Sequence, residues 1–183
     1  FDSSGYQTHL EQFKIDTRSI VKLNHTGCPH CYALYDRQGD GLFFMDTVDL
    51  SNACEIAVPE KILSKTKRLL IVGGSSNSPL AVSCLRTAKK AFAMGIPIAL
   101  AVIGKAYDVS AEFLDLADMV FCNRFEAENI CESFKVNGFE SLTNLGPKVF
   151  FITMGKSGSL VVMKEKTVST SPIEVSEVID PTG

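Results

Sequence analysis

Two cysteines near the start of the chain have a spacing that thiol chemistry uses. Cys28 and Cys31 enclose a proline and a histidine, and such a pair serves redox exchange when a helix N-terminus beside it stabilises the thiolate. Residues 32–45 instead place aromatic and β-prone side chains on both sides of a glycine-rich turn, which predicts a hairpin. A zinc site that recruited His25 would reach three ligands, whereas a structural site takes four. We therefore favour structural cysteines, with a thiol redox site and a zinc site as the alternatives.

Polar residues and glycines follow the predicted strands, at the places where an open α/β sheet binds ligands. The segment 73–78, Gly-Gly-Ser-Ser-Asn-Ser, suits either backbone contact with a ligand or the cap of the next helix. Asn123 and Glu126 have the spacing of a capping box. The same amide and carboxylate could instead hold magnesium through water, because Mg²⁺ keeps several waters and takes few protein ligands. The spacing alone leaves both interpretations open.

Two further segments could bind anions. Thr153, Gly155 and Gly158 offer a hydroxyl and backbone N–H groups to phosphate oxygens, or they form a tight β-hairpin turn. They do not form a P-loop, because its glycine spacing and its Gly-Lys-Ser/Thr ending are absent. Residues 180–183, Asp-Pro-Thr-Gly, predict either a turn or the start of an anion-binding helix.

The order of the predicted elements positions these residues. Residues 6–13 have apolar side chains at helical spacing, and strands at 20–23, 32–36 and 42–45 follow without a helix between them, which predicts a small antiparallel unit. Strands then alternate with helices, which predicts a parallel sheet buried on both faces. The predicted strands are 69–72, 97–103, 119–122, 149–153, 159–163, 167–170 and 173–179, and the predicted helices are 79–94, 111–116 and 125–134.

Composition narrows the class of protein. The chain has 183 residues, 45% of them hydrophobic, and a formal charge of −3, which suits one domain with a single substantial core. The lack of a long basic run argues against binding to nucleic acid or to anionic membranes. The longest apolar run, 92–104, is too short to span a bilayer. Six scattered cysteines, three of them in apolar helix or strand patterns, favour the reducing cytoplasm.

Taken in this order, the motifs resemble those of the ribokinase/PfkB family of sugar and nucleoside kinases. That family places Asn-x-x-Glu after one strand, Thr-x-Gly-x-x-Gly after the next, and Asp-Thr-x-Gly-Ala-Gly-Asp at the start of a helix. Pro181 departs from the last motif, and its final aspartate, the family's catalytic base, is not in this sequence. The matching residues are Asn123 and Glu126; Thr153, Gly155 and Gly158; Asp180, Thr182 and Gly183; and, upstream, Asp2–Gly5 and Lys14–Thr17.

The resemblance implies a fold and a division of the chain. The implied fold is α/β, a ribokinase-like three-layer sandwich with a mainly parallel central sheet and a small antiparallel β lid. Residues 1–17 would begin the core, 18–58 would form the lid strands and return to the core, and 59–183 would form the nucleotide-binding core. Because the lid is frequently a dimer interface in the family, a homodimer through the lid is a possible assembly.

The resemblance also implies an activity, which is ATP-dependent phosphoryl transfer to a hydroxyl of a small-molecule sugar or nucleoside. Asn123 and Glu126 would organise Mg²⁺ through water, and Thr182 and Gly183 would begin the anion hole that stabilises the moving phosphoryl group. The alternative is a non-catalytic homologue that binds a nucleotide or a partner. The implied nucleotide-binding residues are Asn123, Thr153, Gly155, Gly158 and Asp180.

The position of the motifs further predicts that the sequence is an internal fragment of a kinase. The 183 residues alone should then lack turnover, because the family's general base and half of its anion hole lie beyond Gly183. We also expect such a fragment to expose apolar surface along 69–72 and 98–102.

Overall fold

The chain divides into two compact units, and each contains its own sheet. One unit comprises Phe1–Leu50 and Glu177–Gly183, and the other comprises Ser51–Ser176. Among the residues described, none of the helices is both long enough and apolar enough to cross a membrane. The structure, a computed structural model, describes residues 3–20, 30–36, 41–46, 56–74, 79–103 and 109–174.

The first unit contains a helix and an antiparallel hairpin. Helix α1 spans Ser3–Gln12, and strands β1 (His30–Tyr35) and β2 (Gly41–Asp46) pair antiparallel. These elements confirm the predicted helix and hairpin. The strand predicted at 20–23 lies outside the described residues except for Ile20, which is not in a strand.

The second unit is a six-stranded α/β sheet. Its strands are β3 (Leu69–Gly73), β4 (Ile98–Val102), β5 (Met119–Asn123), β6 (Val149–Thr153), β7 (Ser159–Met163) and β8 (Lys166–Thr170), and its helices are α2 (Glu60–Leu63), α3 (Pro79–Ala93), α4 (Ala111–Leu116) and α5 (Arg124–Phe134). The strands lie in chain order across the sheet. Strands β3 to β6 run parallel, and β7 and β8 continue antiparallel. The predicted α/β fold with a mainly parallel sheet is therefore confirmed.

Most elements of this unit have the bounds that the sequence predicts. From β3 to β8, strand and helix ends differ from the predicted ones by at most one residue. The sequence patterns miss helix α2 and a 3-10 helix at Phe139–Leu145, because such short helices show little periodicity. The strand predicted at 173–179 is not formed at Ile173 and Glu174, and its other residues lie outside the described part.

One face of the sheet forms the hydrophobic core. A row of side chains in register across five strands is at most 5% exposed, and it consists of Ile71, Leu100, Val120, Phe150 and Val162. Ala88 of α3, Phe113 of α4 and Ile130 of α5 join the same buried cluster. Burial of this row against the helices fixes β5, β6 and α5 relative to one another.

The opposite face of the sheet presents apolar side chains to solvent. Leu70 and Val72 of β3 are 59% and 54% exposed, and Phe121 of β5 is 39% exposed. The Phe121 ring stacks on Phe151 of β6, with ring centroids 4.7 Å apart. The prediction that the sheet is buried on both faces is therefore wrong for β3 and β5, since within the described residues only the core face of these strands is buried. We call Leu70, Val72, Phe121 and Phe151 the open face.

The expected exposure of two strands is confirmed for one of them. Alternate residues of β3 are exposed, as predicted, whereas β4 is buried at every position except Ala101. Ala99 points to the same side as Leu70 and Met119, its register partners, but it is only 4% exposed. The expectation was wrong for β4 because a small side chain between two larger ones is shielded by them.

Candidate functional site

Strands β5 and β6 end side by side, and their last residues carry two of the candidate side chains. Asn123 and Thr153 are register partners in the parallel pair, so their backbones lie about 4.8 Å apart. Both residues are exposed. Both residues therefore lie at the carboxyl edge of the sheet, which is where open α/β sheets bind ligands.

Helix α5 begins directly after Asn123. The Asn123 Oδ1 accepts a hydrogen bond from the Glu126 backbone N–H at 2.8 Å, and Glu126 Oε2 accepts one from the Asn123 backbone N–H at 2.7 Å. This pair confirms the predicted capping box. Glu126 is only 6% exposed, so the cap holds a nearly buried carboxylate in the first turn of α5. The helix dipole adds positive potential at the same place.

The turn between β6 and β7 holds the two candidate glycines in different surroundings. Gly155–Ser157 forms a 3-10 turn, and the Met154 N–H donates to the Gly158 carbonyl at 2.8 Å. Gly155 has φ +54°, and a Cβ there would meet no atom within 4 Å. Gly158 has φ +85°, and a Cβ there would collide with the Thr170 carbonyl oxygen. Packing therefore requires Gly158, whereas Gly155 leaves open space beside the end of β6.

The two glycines at the end of β3 are explained in part by packing. Gly73 and Gly74 have φ values of +119° and +92°. A Cβ on Gly74 would lie 3.2 Å from the Leu100 side chain, and the Gly74 carbonyl accepts a hydrogen bond from the Ser110 N–H at 3.1 Å. Residues 75–78 lie outside the described part, so the choice between a helix cap and a ligand contact stays a prediction.

Several predicted residues fall outside the part of the chain that the structure describes. The resemblance assigns Asp180 to nucleotide binding and Thr182 with Gly183 to an anion hole. His25 and Cys28 belong to the thiol and zinc hypotheses. The roles of all five residues stay predictions, and the five are Asp180, Thr182, Gly183, His25 and Cys28.

The described cysteines favour a structural role. Cys31 is exposed on β1 and unpaired with another cysteine, and a strand, not the helix that a redox pair requires, continues after it. Burial raises the pKa of the Cys122 thiol to about 12, with smaller contributions from Glu126 and Cys131. Burial also raises the pKa of the Cys84 and Cys131 thiols. A raised pKa keeps a thiol protonated and unreactive near neutral pH.

Sequence reasoning missed one residue beside the site. Asn129 of α5 is 4% exposed, and within the described part of the chain its Nδ2 has no hydrogen-bond partner. A signal for it was present, because Asn123, Glu126 and Asn129 repeat a polar residue every third position, which keeps neighbours close on a helix surface.

The side chains at this edge fit a hydrated magnesium ion. Glu126 supplies a carboxylate, Asn123 an amide and Thr153 a hydroxyl, and Mg²⁺ commonly takes only one or two carboxylates while keeping several waters. Over the described ranges, no group of three or more His, Cys, Asp or Glu residues is arranged to hold a metal ion. An ion at this edge would therefore be held mostly through water and phosphate oxygens.

These features define a class of protein, an open and mainly parallel α/β sheet with polar side chains at the carboxyl ends of neighbouring strands. The chain belongs to the pfkB family carbohydrate kinases, whose family model matches residues 1–183. The family predicted from the motifs is thereby confirmed. None of the curated proteins matches the chain.

Solved kinase structures share the fold. A nucleoside kinase of Methanocaldococcus jannaschii is 20% identical with a TM-score of 0.79, covering 98% of this chain and 57% of that one. A nucleoside kinase of Burkholderia thailandensis in complex with inosine is 16% identical with a TM-score of 0.75, covering 100% and 59%. The ribokinase of Thermotoga maritima is 18% identical with a TM-score of 0.65, covering 82% and 50%. The chain thus spans between 50% and 59% of the length of these kinases, and it shares their ribokinase-like fold.

Proposed function

We propose that the protein carrying this chain transfers the γ-phosphoryl group of ATP to a hydroxyl of a sugar or nucleoside, with Mg²⁺. The observation that carries the proposal is the pairing of Asn123 with Thr153 at the strand ends, with the Glu126 carboxylate capped into the adjoining helix turn. Phosphoryl transfer depends on positioning and charge neutralisation more than on covalent chemistry by the protein. A rigid strand edge with few side chains suits that demand.

Each residue at the edge has a role in this proposal. Asn123 and Glu126 would hold the metal through water, and a bound magnesium ion neutralises charge on the phosphates. The Thr153 hydroxyl and the Gly155 backbone would contact phosphate oxygens, because Gly155 leaves open space there. Gly158 would act by allowing the turn to fold beside them.

Residues toward the end of the sequence complete the proposal by resemblance. Asp180 would contact the nucleotide, and Thr182 with Gly183 would begin the anion hole. The family's base, an aspartate that this sequence does not contain, would take the proton of the acceptor hydroxyl.

The proposal extends to the class of acceptor, to the cellular location and to the assembly. Nucleoside kinases and a ribokinase are among the structural neighbours, which supports a sugar or a nucleoside as the acceptor class. The unpaired cysteines of the described part suit the cytoplasm. The hairpin carries exposed apolar residues, which suits a homodimer through the lid, and these are Tyr32, Leu34, Leu42, Phe43 and Phe44.

Glu126→Gln tests the magnesium role, because glutamine can retain the capping box while it removes the charge. In the protein with any flanking sequence its gene encodes, we expect the Mg²⁺ concentration for half-maximal rate to rise about tenfold or more. Glu128→Gln is the matched control, since it removes an exposed carboxylate paired with Arg124 on the same helix. The measurement is ATP consumption as a function of Mg²⁺, with a panel of sugars and nucleosides.

The outcomes separate the proposal from its alternative. An equal response of both variants to Mg²⁺ would remove Glu126 from the metal site and leave it as a cap. Nucleotide binding without turnover on any acceptor, even with the flanking sequence present, would favour the non-catalytic homologue. Robust turnover by the 183 residues alone would contradict the assignment of the base.

A further inference from the structure

Asn129 is a buried polar side chain that helix packing does not explain. It is 4% exposed, and its Nδ2 donates to no group in the described part of the chain. Buried donors are almost always hydrogen-bonded, so an unpaired one calls for a partner such as water or a bound group. Leucine has a similar shape and would avoid the cost of burying an unpaired donor. An amide at this position therefore indicates that its polar group binds something.

The helix places Asn129 next to the carboxylate of the candidate site. Asn129 follows Glu126 by three residues on α5, and residues at this spacing are neighbours on a helix surface. Side chains on a helix lean toward its N-terminus, over the preceding turn. The Asn129 amide therefore lies over the turn that holds Glu126, and both side chains are at least nine-tenths buried.

We propose that Asn129 is a positioning residue that orients the Glu126 carboxylate through one buried water. The inference rests on the proposed function, because Glu126 matters for catalysis only if it organises the metal. A carboxylate accepts several hydrogen bonds. Glu126 can therefore accept the bond from the Asn123 N–H at Oε2 and also one from the water that Asn129 would hold. A water in such a polar niche is held by the groups that it bridges.

Two hydrogen bonds from different directions would keep the Glu126 carboxylate in place when a metal ion binds. The capping bond draws Glu126 toward Asn123, at the start of the helix. A second hydrogen bond, from the water held by Asn129, would restrain the carboxylate on the side of the following helical turn. Outer partners of this kind affect metal affinity through the orientation of the inner group, without touching the metal themselves.

Asn129→Leu separates this role from a structural one. We expect the Mg²⁺ concentration for half-maximal ATP-analogue binding to rise about tenfold, with kcat at saturating Mg²⁺ largely kept. The unfolding midpoint should change little, because the lost hydrogen bond between the amide and the water is offset by an apolar group of similar shape. The protein is tested with its flanking sequence, by calorimetry for Mg²⁺-dependent binding and by urea unfolding.

Thr87→Val is the matched control. Thr87 is a buried polar residue on α3, and its Oγ1 donates to the Ser83 carbonyl at 2.9 Å. Its replacement should lower the unfolding midpoint and leave the Mg²⁺ dependence unchanged. If Asn129→Leu does not fold, Asn129→Ala takes its place with the same expected rise in the Mg²⁺ requirement.

Three results would overturn the inference, and they are distinguishable. If Glu126→Gln raises the Mg²⁺ requirement and Asn129→Leu does not, the proposed function survives and the role of Asn129 fails. If the unaltered protein binds nucleotide with no dependence on Mg²⁺, the proposed function and this inference fail together. A lower unfolding midpoint with unchanged Mg²⁺ dependence would make Asn129 a structural residue.

Discussion

At the scale of single residues, Asn123 and Glu126 serve the fold through the capping box, and in the proposed function they would also hold the metal through water. Each contributes one oxygen to the capping box, Oδ1 of Asn123 and Oε2 of Glu126. That geometry fixes both side chains before any ligand binds, and fixed side chains lose less conformational entropy on binding. A capping box and a metal-water site are therefore compatible interpretations of one motif.

Cys122, directly before Asn123, should be protected from modification. Its pKa is raised to about 12, mainly by burial, so almost no reactive thiolate exists at pH 8. In the native chain at that pH, iodoacetamide should modify the exposed Cys31 and leave Cys122 intact, as measured by mass spectrometry of digested peptides. Unfolding in urea is the control that should make Cys122 reactive.

The same pKa shift predicts a change of stability at high pH. An unfolded cysteine thiol titrates with a pKa near 9.0, whereas burial raises the pKa of Cys122 in the fold to about 12. Its contribution to stability is complete below pH 9 and is lost as the pH rises from there toward 12. For the alkylation experiment described above, rapid modification of Cys122 in the folded chain at pH 8 would contradict the burial of this thiol.

At the scale of elements, the turn between β6 and β7 combines a packing glycine with an open one. Both have positive φ, but only Gly158 lies against the end of β8, where Thr170 leaves no room for a side chain. The hairpin therefore packs tightly on one side while Gly155 stays accessible beside Thr153. A short turn thus holds a candidate phosphate contact on a rigid support.

Alanine at the two glycines should separate these roles. Gly158→Ala should lower the free energy of unfolding by about 3 kcal/mol, because the left-handed backbone and the collision with Thr170 both oppose it. Gly155→Ala should cost about 1 kcal/mol, since only the backbone conformation opposes it. Urea denaturation of the two variants provides the measurement, and equal losses would show that the hairpin does not pack as described.

At the scale of the whole molecule, the described sheet is buried on one side from β3 to β7, and on the other side β3 and β5 expose apolar side chains. The open face joins exposed residues of β3 with the stacked Phe121 and Phe151. A contiguous apolar patch of this kind usually marks a surface that another element or molecule covers. In a three-layer sandwich, such as the fold this chain shares, a second layer occupies that position.

The open face should make the 183-residue chain associate with itself. Burying a leucine or valine side chain contributes about 1.5–3 kcal/mol, so the pair Leu70→Thr and Val72→Thr should weaken self-association by at least about tenfold. The control pair is Leu80→Thr and Val82→Thr, which are 41% and 47% exposed on α3. Sedimentation across a concentration series measures the effect, and a chain that stays monomeric throughout would refute the prediction.

The sequence by itself determined the alternation of strands and helices, the capping box and the meeting of Asn123 with Thr153. These follow from local rules: hydrophobic periodicity, cap spacing and the shared direction of parallel strands. Tertiary structure alone decided that Gly158 is required by Thr170, that Asn129 is buried without a partner, and that one sheet face stays open. The reason is that periodicity tells which side chains share a face, whereas the groups that pack against that face come from distant parts of the chain.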